Sequence, residues 1–238
     1  MILADNDYVT IVEQMKDDAE KVLYYVNKED AKALRKFKKE RSYPQWTYSL
    51  VTLPDSRNQY LLWFYALNKK EVQDNYFWGG SCLLVNDKDG KRIVYRYRPQ
   101  KDTDTGDVIE SLQVYNGHFF SRYKERMKLS DDLNAYEVMT IFFGRNALYL
   151  YGLNNEKVMK KPEKYKDAMA YRIDDGVIFG SESYVPYKND ELHVMLNNTF
   201  LSSDILKQSQ KENIPGQIKA RSVVLDRIFR DKAMKAIG

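Results

Sequence analysis

The strongest constraint on how this chain folds is a change of hydrophobic period around Pro44. Ahead of it, Val9, Val12, Met15, Ala19, Val22 and Val26 recur at three- and four-residue steps with charges between them, the stripe of an amphipathic helix. Beyond it, "QWTYSLVTL", "NQYLLWFYAL", "GGSCLLVND" and "KRIVYRYR" are rich in aromatic and β-branched residues and are separated by turn chemistry. The stripe at 7–27 and a second helical stretch at about 29–41 predict an N-terminal helical hairpin. It ends before Pro44, because a proline disfavours helix in the residue ahead of it. "PDSRN" at 54–58 and "DKDG" at 87–90 join strands, Asp-Gly tolerating the positive φ of tight hairpins. The expectation is an antiparallel meander of about four strands, with the apolar stripe of the hairpin buried against another layer.

The second half follows a similar logic. "PQKDTDTGD" at 99–107 is a polar loop; its aspartates do not keep the order of a calcium loop, and no glutamate stands at the twelfth position. "VIESLQVY" predicts a strand, "GHFFSRYKERM" a helix, and "SDDLNAYEVMTIFFGRN" a second helix with Ser130 as its expected N-cap. After a charged connector at 153–167 come strands "AMAYRI" and "GVIFGS" around the turn "DDG" at 174–176, then the strand "ELHVMLNNTFL". A C-terminal basic helix starts near Ser203 and is interrupted at "NIPG". The fold class expected from this order is α+β, with an antiparallel sheet and segregated helices, rather than a doubly wound parallel sheet. A division near residue 100 would give a hairpin-plus-meander unit at 1–100 and a helix–sheet–helix unit at 101–238; one continuous domain fits as well.

Composition narrows the function classes. With 43% hydrophobic and 30% charged residues the chain reads as an ordinary globular protein, and its longest apolar run falls far short of the roughly 18 residues of a membrane span. The single cysteine, Cys82, excludes an intrachain disulfide and, inside "SCLLV", reads as a buried thiol. One cysteine and no apolar leader at the start lead us to expect a cytoplasmic protein with no membrane partner. No P-loop and no G-x-S-x-G elbow is present, and two histidines 75 residues apart do not form a zinc motif. No metal or other cofactor is therefore expected.

The net charge of +4 is unevenly spread. Residues 28–41 carry seven Lys/Arg against three acids, and residues 205–238 carry eight against three. Clustered positive charge fits RNA or DNA as partner; a solvated helix face is the alternative explanation. The strand "KRIVYRYR" adds an arginine row, Arg92, Arg96 and Arg98, on one of its faces.

One stretch carries a candidate chemistry. In "YNGHFFSRYKERM" a helix would align His118, Arg122 and Arg126 in a slowly winding row beside an apolar stripe of Phe119, Tyr123 and Met127. His118 would stand at the helix start, where backbone N–H groups attract anions and favour a neutral imidazole suited to general-base work. RNA is cut without metal when a base takes the 2′-OH proton, the oxygen attacks the adjacent phosphate, an acid protonates the leaving oxygen and cations stabilise the phosphorane. His118 fits the base and His193 the acid. Arg122 and Arg126 fit the phosphate clamp, with Thr199 and Ser202 as hydrogen-bond donors to phosphate.

A helix bearing "HFFSRYKER", followed by an antiparallel sheet whose last strand ends in "NNTFLSS", resembles the ground plan of small bacterial ribonuclease toxins, such as the RelE-like and colicin-type nucleases. The resemblance covers about residues 108–206. This chain departs from the plan in a second helix at 131–144 and in the roughly 100 residues ahead of the unit. Two functional classes stay open on the sequence: a polyanion-binding protein with nuclease activity as its sharper form, and a non-enzymatic protein-interaction module whose histidines are structural and whose basic helices bind a protein partner.

Overall fold

The computed structural model describes residues 1–101, 108–146 and 168–204. The expected C-terminal basic helix, the connector at 153–167 and most of the loop at 99–107 lie outside those residues.

The N-terminal stripe forms one helix, α1 (Tyr8–Phe37), not the expected hairpin. Nothing between Val26 and Ala31 breaks it: "NKED" holds neither glycine nor proline, and a loop there would leave backbone groups to be satisfied elsewhere. Asp7 caps the start, its side chain accepting from Thr10 N at 2.8 Å. The helix then runs about 45 Å, burying Ile11, Val12, Val22, Ala33 and Phe37.

The strands are β1 (Gln45–Thr52), β2 (Gln59–Ala66), β3 (Trp78–Asn86), β4 (Arg92–Tyr97), β5 (Gln100–Lys101), β6 (Val108–Tyr115), β7 (Ala168–Ile173), β8 (Gly176–Tyr187) and β9 (Asp190–Ser202). Three further helices interrupt them: α2 (Lys69–Gln73), α3 (Phe119–Arg126) and α4 (Ala135–Arg145). Sheet order is β1-β2-β3-β4-β6-β9-β8-β7, with β5 paired to β6. The first four strands are the expected meander, and the sheet continues across residue 100 because β4 pairs with β6. Every pairing is antiparallel except β6–β9, where Tyr115 stands beside Asn197. The fold is thus mixed helix and sheet with a mostly antiparallel sheet, consistent with α+β.

Side-chain alternation gives the sheet two apolar faces. Leu62, Phe64, Leu83, Tyr95, Leu112 and Val194 pack with α1. Leu61, Trp63, Val94, Tyr115, Met195 and Phe200 pack with α3 and α4. This second core is dense in rings: Tyr115–Phe119, Phe119–Phe142, Tyr123–Phe142 and Tyr123–Phe200 have centroids 5.0–5.1 Å apart. Edge-on pairs of this kind add about 0.5–1.5 kcal/mol each beyond the area they bury. Gly144 permits the close approach of α4 to β2, since a Cβ there would lie 2.2 Å from the Tyr65 ring. Cys82 is fully buried in this layer, and burial pushes its thiol up to about 12.

Helix α4 starts later than expected. Its cap is Asn134, whose side chain accepts from Tyr136 and Glu137 while Glu137 returns a bond to the Asn134 N–H, a complete capping box. Ser130 lacks a partner at the third position and sits in the preceding turn.

Candidate anion site between helix α3 and strand β9

Three residues separate the end of β6 from the start of α3, at the point where β9 runs on without β6 beside it. Gly117 and Asn116 make the turn. The Asn116 side chain accepts from His118 N at 3.1 Å and Phe119 N at 3.0 Å, so it satisfies two of the free N–H groups at the helix start. His118 is the residue before the first helical one; it is exposed and makes no capping bond of its own. The apolar side of α3, Phe119, Phe120 and Tyr123, enters the aromatic core. His118 and Arg122 stay exposed and Arg126 is half-buried.

A bulge in β9 decides what those arginines meet. Phe179 pairs with Thr199 and Gly180 with Asn197, so Asn198 is an extra residue without a partner across the ladder. The extra residue reverses the alternation: Phe200, not Thr199, falls on the core face with Met195, and Thr199 remains half-buried at the surface. Gly180 is required opposite the bulge, because a Cβ would lie 1.8 Å from the Leu196 carbonyl oxygen. Arg122 Nη1 donates to Thr199 Oγ1 at 3.1 Å and Arg126 Nη1 donates to the same oxygen at 3.2 Å. Asn116 Nδ2 reaches Asn198 Oδ1 at 3.3 Å and closes one end of the cluster.

Two guanidinium groups therefore share one neutral acceptor. Among the described residues neither forms an ion pair, and Glu125, one turn along α3 from Arg122, does not pair with it. Holding two like charges this close costs free energy that a bound anion would recover. Guanidinium donors not used on Thr199 suit phosphate oxygens.

Tyr123, between the two arginines in sequence, enters a buried polar knot. Asp175, 7% exposed in the β7–β8 turn, accepts from Tyr123 Oη at 2.5 Å, from Arg145 Nε at 2.9 Å and Nη2 at 2.5 Å, and from Asn146 Nδ2 at 2.9 Å. Its carbonyl accepts from Ser203 N and Ser203 Oγ. The knot ties α3, the end of α4 and the residue that follows β9 together. The Asp175 bonds hold the Arg145 guanidinium in its charged form. Burial, and then the Asp175 charge, push the Tyr123 phenol well above its ordinary value, so it remains a donor. Sequence reading missed this knot; its only trace was two polar pairs, "RN" after an apolar helix and "DD" before a glycine.

The remaining sequence-derived residues lie elsewhere. Ser202 is 3% exposed, opposite Gly176, and its hydroxyl is not offered to solvent. His193, 6% exposed, has Nε2 at 3.0 Å from Glu182 Oε2 and stacks on Tyr184 with ring centroids 4.7 Å apart. It stands six residues before Thr199, roughly 20 Å back along the strand. The structure thus brings Arg122, Arg126 and Thr199 together with His118 one turn ahead, and it does not bring His193 to them. Arg92 of the arginine row is fastened beside α4, its Nε donating to Asn86 Oδ1 at 3.2 Å and its Nη1 to the Tyr136 hydroxyl.

Among the described residues no group of three His, Cys, Asp or Glu side chains is placed to hold a metal ion, and no helix is long and apolar enough to cross a membrane. No protein-family model, curated protein or solved structure matches the chain.

Proposed function

We infer that this protein binds RNA through its phosphodiester backbone at the α3–β9 cluster, and that His118 makes the site a metal-independent ribonuclease centre. The observation that carries the reading is the convergence of Arg122 and Arg126 on the Thr199 hydroxyl with no carboxylate to neutralise them among the described residues. A phosphate seated there would accept from both guanidinium groups, and Thr199 would hold them in register. His118 lies one helical turn before Arg122, about 6 Å along the axis. The imidazole would take the 2′-OH proton; the oxygen would attack phosphorus; the 5′ oxygen would leave with a proton from solvent, giving a 2′,3′-cyclic phosphate. His193 has no part in this scheme, because it is engaged with Glu182 on another stretch of β9.

The test is a pair of variants on a fluorescent single-stranded RNA. His118→Ala is expected to abolish cleavage, to leave binding within about twofold and to leave Tm unchanged. Arg122→Ala with Arg126→Ala is expected to weaken binding and to lower the slope of log affinity against log salt by about 0.7, the contribution of one phosphate contact on a single strand. Undiminished cleavage by the His118 variant removes the catalytic assignment. An unchanged salt slope in the double variant removes the phosphate site itself.

A further inference from the structure

The opposite flank of α3 holds a second feature. A cavity of about 400 Å³ lies between α3, the start of α4 and the β3–β4 hairpin. Phe120, Leu133, Val138 and Met139 wall it, and Arg92, Lys124 and Ser121 stand at its mouth. We propose that this cavity is a nucleobase pocket, receiving the heterocycle of the nucleotide whose phosphate sits on Arg122 and Arg126; it rests on the phosphate reading of that pair.

Three observations point to a base. The first is helical geometry. At about 100° per residue, Arg122 and Arg126 wind to one side of His118, while Ser121 and Lys124 lie to the other. His118 stands on the ridge between them. A nucleotide laid across that ridge has its phosphate on one flank, its base on the other and its ribose against the imidazole, where the 2′-OH is needed.

The second is the lining. One aromatic wall, aliphatic groups and a thioether, with few polar groups at the rim, match a flat heterocycle that stacks and also hydrogen-bonds at its edge. The size falls within the range of small-molecule sites.

The third is how the two cations at the mouth are held. Lys124 Nζ donates to the carbonyl oxygens of Asp131 at 2.9 Å and Leu133 at 2.8 Å. Arg92 is held by Asn86 and Tyr136, with its guanidinium 5.1 Å from the Tyr136 ring centroid. Every one of these partners is neutral, and among the described residues neither cation forms an ion pair. The mouth is positively charged and fixed in place, as a strand of alternating phosphates and bases requires.

The experiment uses two probes that carry only half of a nucleotide each. Adenosine or uridine, which lack phosphate, is titrated at millimolar concentration while methyl resonances of Leu133, Val138 and Met139 are followed; inorganic phosphate is titrated while the Thr199 amide is followed. The nucleoside is expected to shift the three methyl groups and spare Thr199, and phosphate to do the reverse. Ala135→Trp, at the exposed first residue of α4 and at the cavity mouth, should erase the nucleoside shifts, keep the phosphate shift and weaken RNA binding about tenfold, the size of one lost stacked base. Nucleosides that leave the methyl groups unmoved, while phosphate still moves Thr199, overturn the base pocket and spare the phosphate site. Phosphate without effect beside an intact nucleoside response overturns the phosphate site instead. A short apolar peptide that shifts those methyl groups where nucleosides do not reassigns the cavity to a protein partner and overturns the proposal.

Discussion

The two faces of the sheet treat cations differently. On the α1 side, Lys16 sits 2.9 Å from Glu110 between the rings of Tyr97 and Tyr187, Lys188 lies 3.3 Å from Glu13, and Lys21 pairs with Asp55. Around α3, Arg92, Arg122, Lys124 and Arg126 are fastened to hydroxyls, an amide and carbonyl oxygens. A cation matched to a carboxylate has its field cancelled locally. A cation matched to a neutral dipole keeps its charge and loses only its freedom. The first arrangement stabilises a layer; the second presents positive charge in fixed positions, which is what an anion site needs. Arg145 marks the boundary: it shares α3's side of the sheet, yet Asp175 takes its charge and makes it part of the buried knot.

The comparison can be broken first at that boundary. Asp175→Ala leaves Arg145, Asn146 and Tyr123 without their acceptor in a nearly buried place. We expect about 3 kcal/mol of destabilisation and a Tm lower by roughly 10 °C in a thermal melt, with RNA binding lost as α3 and β9 separate. A Tm within roughly 2 °C of the parent would mean the knot holds nothing.

Thr199→Glu erases the contrast by placing a carboxylate between the two arginines. It should pair with both, weaken RNA binding more than tenfold at low salt and raise Tm slightly. Tightened or unchanged RNA binding would show that the charge of this pair is not what RNA meets. Arg122→Ala with Arg126→Ala asks the same question by deletion: stability should stay within about 1 kcal/mol in urea titration, because each arginine loses only a bond to one shared neutral hydroxyl.

The smallest effect is expected on the α1 side. Burial pushes the Glu110 carboxyl up, but bonds from Tyr97 and Lys16 outweigh it and hold the group below its ordinary range. Its stabilisation is therefore complete above the ordinary carboxylate value and is lost as pH falls through the lowered one. Glu110→Gln should cost about 1 kcal/mol at neutral pH, a gap that narrows below about pH 4, with RNA binding untouched. A gap that widens in acid would reverse the sign of this account.

Much of the fold was legible because hydrophobic period is a local signal. The meander, the "GHFFSRYKERM" helix and the last three strands follow from residues two to four apart. The hairpin expectation failed at α1, since charged residues such as Lys28 and Glu29 mark a wet face as readily as a turn and only a breaker would have separated the two. The row of His118, Arg122 and Arg126 was legible for the same reason as the helix. The Asp175 knot was not, because a buried aspartate and a surface one look alike until their neighbours are known.

By itself the sequence determined which residues alternate, which form stripes, and that His118, Arg122 and Arg126 follow one another at four-residue steps from the cap of α3 to its last residue. Tertiary structure alone decided that Thr199, 77 and 73 residues away in the chain, would meet those arginines, that the bulge at Asn198 would turn Phe200 inward in its place, and that His193 would be engaged with Glu182. The physical reason is range. Backbone period is set by sterics over one turn or one pleat, whereas the neutralisation of a charge depends on which distant strand lands beside it, and that is settled only when the whole sheet is paired.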